Sequence, residues 1–191
     1  MKALSLTVGC LLLSGIGSLS IGCAGGRIYP TNYNVFVDPA FGDNISDVVG
    51  ALDDWSSKTN VGFNITVLNM ACDDEDIDCI SIHPMSLADI KSISENPNTI
   101  GITFWHKSIA AKDPYYCDYQ GWGNSYVPSG TDFDVQDTRH ELGHALGLQH
   151  LGAGNVMCKD QGCATLDIQC GDVNEYNELR NIPDVACGPK E

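Results

Sequence analysis

The chain has 191 residues, with 25 acidic side chains against 10 basic ones and a formal net charge of −15 at neutral pH. No basic patch interrupts that imbalance, which excludes nucleic acid as an expected partner. The length suits a single domain with a core of its own, and no repeat, long linker or composition shift divides it.

Residues 1–22 read as an export signal. Lys2 supplies a small positive start, residues 3–21 are apolar or small without charge, and Gly and Ser break the run too often for a membrane span. The run ends SIGC followed by AGG. This is similar to a bacterial lipobox, with Cys23 as the lipidated first residue of the mature chain, although Ser20 stands where Leu is more usual. Ordinary cleavage nearby and free secretion is the competing reading. Either route leads outside the cytoplasm, to the periplasm, the cell surface or the medium, and a membrane enters as a partner only through the lipid anchor. The domain expected is therefore 23–191, working as a monomer. The first strand-like run begins near Tyr33, which leaves no room for a sizeable pro-segment, so activity should need no propeptide removal.

Residues 32–38 (NYNVFVD) read as a strand. In 43–58, Ile45, Val48, Val49, Leu52 and Trp55 fall at helical steps. A second strand is expected over 62–70, further strands at ISIHP (80–84) and at 99–106, and a helix over 86–94. The segment 108–117 is placed at the edge of the sheet. Along 135–146, Val135, Thr138, Leu142, Ala145 and Leu146 form an apolar stripe, with Asp134 and Asp137 suited to an N-cap and an acidic first turn. Leu166, Cys170, Val173, Tyr176 and Leu179 suggest a closing helix over 166–181. The order is that of an α+β domain.

Residues 140–150 read HELGHALGLQH. On a helix, His140 and His144 project from one face about 6 Å apart along the axis, close enough for both to reach one Zn²⁺. Gly147 can take φ > 0, ending the helix and turning the chain so that His150 returns as a third ligand. Three protein ligands leave a fourth position for water, and Glu141 beside the pair can take a proton from it. The residues point to a zinc hydrolase.

The string HELGHALGLQH resembles the HExxHxxGxxH pattern of the metzincin metalloproteases, and FDVQDTRHELGHALGLQH is most similar to their matrixin branch. Metzincins also carry a methionine in a tight turn beneath the metal; here GNVM ends at Met157, seven residues past His150. The resemblance covers residues 133–158. Leu151 and Cys158 depart from what the named branches carry, so the subfamily stays open, and no tyrosine ligand follows Met157. It implies a metzincin-like catalytic domain: a mixed twisted sheet, an active-site helix, a Met-turn and a C-terminal helix. It also implies endopeptidase activity on extracellular proteins or peptides, with Zn²⁺ held by His140, His144 and His150, and Glu141 as general base. The alternative is a surface-anchored binding protein that keeps the frame without significant catalysis.

Seven of the nine cysteines remain if Cys10 leaves with the signal and Cys23 is lipidated or lost. Cys72 with Cys79 would close a short acidic loop; Cys158, Cys163, Cys170 and Cys187 are expected to bridge among themselves, with one cysteine of the seven left over. Acidic residues at 73–78 with Asp118, Asp132 and Asp134 leave two readings open, a solvated surface or structural Ca²⁺. His83 and His106 are read as structural, and the stretch 115–126 as loop packing or a cleft wall.

Overall fold

The computed structural model describes residues 27–28, 30–73, 78–113, 116–159, 165–180 and 182; for 27–28, 105–113 and 116–121 the backbone alone is described. The signal segment with Cys10, the lipidation candidate Cys23, and Cys163 and Cys187 lie outside the described residues. The architecture is α+β, a mixed sheet with helices. Strand β1 is Arg27–Ile28 and β2 is Asn32–Val37, followed by helix α1, Ile45–Lys58. Strands β3 (Gly62–Val67) and β4 (Cys79–Met85) precede helix α2, Leu87–Ser94. The hairpin of β5 (Ile102–Asp113) and β6 (Tyr116–Pro128) leads to helix α3, Val135–Ala145, and helix α4, Cys170–Leu179, closes the described chain.

Period-two burial makes the sheet. In β2, Tyr33, Val35 and Val37 are buried while Asn32 and Asn34 are exposed. The strand runs parallel to β3 on one side and to β4 on the other. Next, β4 pairs in parallel with β6, and the short β1 adds to the beginning of β6. Among the described residues, strand β5 is the single antiparallel member and pairs with β6 alone. It therefore forms the edge, and that edge begins at Ile102, ahead of the 108–117 segment expected there. Strand β3 stops at Val67 rather than near residue 70. Leu68 N–H still reaches Val37 O at 2.9 Å, but beyond it β2 has ended and Asp38 has turned to accept from Ala40 N–H at 2.8 Å.

Helix α1 buries Val48, Ala51, Leu52 and Trp55, spaced three and four apart, and α3 buries Leu142 and Ala145. Together with Ile80 and Ile82 of β4 they make one core. Trp55 is fully buried and donates its indole N–H to Arg139 O at 3.0 Å, and Arg139 reaches back to Asp54 with Nε at 2.7 Å. These contacts fasten α1 to α3. Arg180, just past α4, donates to Leu146 O at 3.0 Å and to the Tyr33 hydroxyl at 3.1 Å, and its guanidinium lies 3.8 Å from the centre of the Tyr176 ring.

The closing helix starts at Cys170, four residues later than the spacing suggests. Gln169 caps it reciprocally with Asp172, which fixes the first turn there. Leu166 is exposed, and its carbonyl accepts from Arg139 at 2.6 Å instead of entering a helix. Among the described residues no helix is long and apolar enough to cross a membrane. Replacing Trp55 with Ala removes the largest fully buried side chain among the described residues, along with its indole bond to the Arg139 carbonyl. Denaturant unfolding should show a loss of about 3–5 kcal/mol, against under about 1.5 kcal/mol for Ile65→Val on half-buried β3.

Candidate metal centre and its cleft

Asp134 accepts from Gln136 N–H at 2.8 Å and so sets where α3 begins and which residues share each face. His140 and His144 then stand one turn apart, their ring centroids 4.8 Å from each other. After Ala145 the chain leaves the helix, and Gly147 adopts φ 93°, a backbone conformation that suits glycine. His150 thereby comes within 4.8 Å of His144 and 5.3 Å of His140, centroid to centroid. One nitrogen from each ring lies within 4.8 Å of the other two. Among the described residues, no other group of three potential ligands gathers in this way.

The donor chemistry fits a divalent metal. His140 Nδ1 donates to Val156 O at 2.8 Å, and His144 Nδ1 donates to Leu148 O at 2.9 Å. With Nδ1 so engaged, each neutral ring turns an unprotonated Nε2 toward the others. His144 Nε2 and His150 Nε2 are 3.2 Å apart, close to the ~3.3 Å edge of a tetrahedron with metal–nitrogen arms of about 2.0–2.1 Å. Burial lowers the His144 pKa to about 4 and lowers that of His140 too, so both are neutral and available at physiological pH.

A turn beneath the histidines supports them. Leu151 N–H bonds Met157 O at 2.8 Å, Met157 is fully buried, and a Cβ added at Gly143 would collide with its sulfur. Gly143 is thus the close-approach point between helix and turn. Asp172, wholly buried at the start of α4, accepts from Val156 N–H and Met157 N–H at 3.0 Å each and from Gln169 N–H at 2.8 Å. The carbonyl that orients His140 belongs to that same Val156.

The second wall of the site is the beginning of β5. Thr103 Oγ1 donates to Glu141 Oε2 at 2.6 Å and stands 3.0 Å from the Ser125 hydroxyl. Glu141 is 4% exposed, and its carboxylate fills the space that a side chain at Gly101 would need. Burial raises the Glu141 pKa to about 7, against the opposing pull of the Thr103 bond. Between α3 and β5 lies a cleft of about 900 Å³, bordered by Ile100, Thr103, Asp137, His140, Glu141 and His144. Asp137 is the acidic residue of the first turn, as expected; it is 6% exposed, and burial, reinforced by Asp134, pushes its pKa up to about 7.

His83 lies in a separate buried network. Its Nδ1 is 3.2 Å from Asp38 Oδ2 and its Nε2 is 2.9 Å from Ser81 Oγ. The trio has the residue types of a serine hydrolase but not the proton direction. Ser81 is fully buried and donates to Asn124 Oδ1, so His83 cannot take its proton and no substrate can reach it. Asn124 exchanges two hydrogen bonds with the backbone of Cys72, which is disulfide-bonded to Cys79. Cys158 is also disulfide-bonded, whereas Cys170 is free and exposed, which removes it from the bridging set expected of the C-terminal cysteines. The side chain of Asp118 and residues 74–77 lie outside the described residues, and Asp134, grouped with them for Ca²⁺, serves as a helix cap.

Asp172, Thr103, Gly101 and the burial of Asp137 are not deducible from the zinc-helix string. Gln169 followed three residues later by Asp172 is a capping signal that could have located the first; the other three depend on strand placement. Comparison with protein-family models and with curated proteins finds no match for this chain.

Asp172→Asn keeps the shape but replaces one accepting oxygen with a donor facing backbone N–H groups. It should cost roughly 2–3 kcal/mol in denaturant unfolding and weaken zinc binding by about tenfold or more in a chelator competition. For Asp137 the folded-state pKa lies above the unfolded value, so the folded chain holds the proton more tightly. Its contribution is complete below the unfolded pKa near 3.8 and declines as pH rises toward about 7. Thermal unfolding in chelator should therefore show Asp137→Asn gaining stability over the parent between pH 4 and pH 8.

Proposed function

We propose that the chain is a zinc-dependent endopeptidase acting on proteins or peptides outside the cytoplasm. The observation that carries this reading is the convergence of three imidazole nitrogens beside a buried carboxylate in a cleft whose far wall is the free edge of the sheet. His140, His144 and His150 would hold the metal, which when bound would acidify a water and polarise the scissile carbonyl. Glu141 takes the proton from the attacking water and passes it to the departing nitrogen. A carboxyl raised to about 7 by burial is suited to both halves of that exchange, since its affinity for the proton is balanced near working pH. Thr103 fixes one carboxylate oxygen and leaves the other for the proton. The outer edge of β5, unpaired among the described residues, can take an extended peptide as an added strand, through backbone hydrogen bonds that tolerate many sequences.

The HELGHALGLQH string and the buried turn at Met157 support placing the domain among the metzincins, closest to the matrixin branch. The leader-like first 22 residues, with Cys23 as the lipid attachment point, support export. A Cys72–Cys79 disulfide agrees with an oxidising compartment.

Glu141→Gln should retain zinc at the parent's stoichiometry while casein or gelatin cleavage falls by about 10²–10⁴-fold. A chelator should abolish cleavage by the parent, and added zinc should restore it. Cleavage by the Glu141→Gln protein at near-parental rate would remove Glu141 from this role.

A further inference from the structure

Helix α3 carries two buried carboxyl groups on the face that borders the cleft, Asp137 and, four residues on, Glu141. Glu141 has a partner in Thr103. Asp137 has none: at the third helical position a carboxylate commonly folds back onto the cap backbone, yet among the described residues it makes no hydrogen bond or ion pair. Two lysines, Lys91 and Lys159, border the same cleft without pairing with it. Asp137 as a residue is 6% exposed, and a largely buried carboxyl without a counter-charge is costly for a folded chain to keep, a cost relieved when a cation arrives from the cleft.

The surroundings specify the kind of cation. Ile100, Ile102 and Leu148 border the cleft and offer apolar contact to an aliphatic stem, while Asp137 offers a charge to its head. Lysine and arginine side chains have that construction. Asp137 also precedes His140 by three residues, about 4.5 Å along the helix axis, little more than one residue of extended peptide. Its partner therefore belongs to a residue close to the bond being cut.

We propose that Asp137 anchors a subsite for a lysine or arginine side chain within two residues of the cleaved bond, so that the enzyme prefers basic peptides. This rests on the cleft being the peptide site proposed above. Asp137 acts here as a specificity determinant, distinct from the proton-transfer role of Glu141.

The test uses fluorogenic peptides that carry arginine or its neutral isostere citrulline at each of the two positions on either side of the cleaved bond. At one position the parent should cleave the arginine peptide with kcat/KM at least about tenfold higher. The ratio should fall close to one in Asp137→Asn, persist in Asp137→Glu, and invert in favour of glutamate peptides in Asp137→Arg. Equal cleavage of both peptides by the parent at every position, or a preference unchanged in Asp137→Asn, would overturn the proposal. Binding of the same peptides to the Glu141→Gln protein, followed by fluorescence anisotropy, separates the two readings. Asp137-dependent binding of arginine peptides without cleavage by the parent would sustain the subsite and remove the endopeptidase. Cleavage with no charge preference would do the reverse.

Discussion

Asp172 joins the turn at Val156–Met157 to the start of α4, two segments about 16 residues apart. Its buried carboxylate accepts N–H groups from Val156, Met157 and Gln169, so one charge closes the turn beneath the histidines and starts α4. Three donors aimed at a single buried anion are what allow that charge to stay in the interior. Everything the candidate site requires of the turn follows. Val156 O is held where His140 Nδ1 can donate to it, and Met157 is pressed against Gly143, where only a glycine leaves room. Without that anchor, the carbonyl selecting the ring's tautomer would lie in a loose loop.

Rigidity on the other side comes from the packing of α3. Trp55 and Asp54 of α1 fasten to Arg139, the residue immediately before the first histidine of the cluster, and Arg180 grips Leu146 just past the helix. The helix is held at both ends, with its apolar stripe against the sheet. Its remaining face looks toward β5, an edge strand that pairs with β6 among the described residues. A cleft between a fixed helix and an unpaired strand edge places backbone donors and acceptors opposite the side chains that would do chemistry. On the proposed reading the two tasks are separate: β5 would hold the extended chain, and α3 would select and react.

Local signals carried well into the structure wherever chemistry and secondary structure share one segment. The spacing in 140–150 fixes which side chains share the face of α3, and Asp134 marks its start. The alternation in 32–38 and the helical steps in 43–58 likewise became β2 and α1. What was not legible depends on partners distant in sequence. Leu166 fits a helical repeat, yet its carbonyl is taken by Arg139 and the capping pair Gln169–Asp172 delays the helix. Asp137 reads as a first-turn acid, and periodicity cannot show that it will be buried there. Thr103 is one threonine among many until the hairpin brings it to Glu141.

The two acids of α3 show how one helix can support different roles through environment alone. Both are raised to about 7, in each case chiefly by burial. Glu141 has a hydroxyl donor on one oxygen, which steadies its orientation and offsets part of the desolvation; Asp137 has no such donor and feels the added repulsion of Asp134. A partnered carboxyl can cycle a proton repeatedly without moving, which suits a base. An unpartnered one gains most from an external cation, which suits recognition. The difference lies in the neighbours: Thr103 of β5 reaches Glu141, whereas among the described residues no polar side chain partners Asp137.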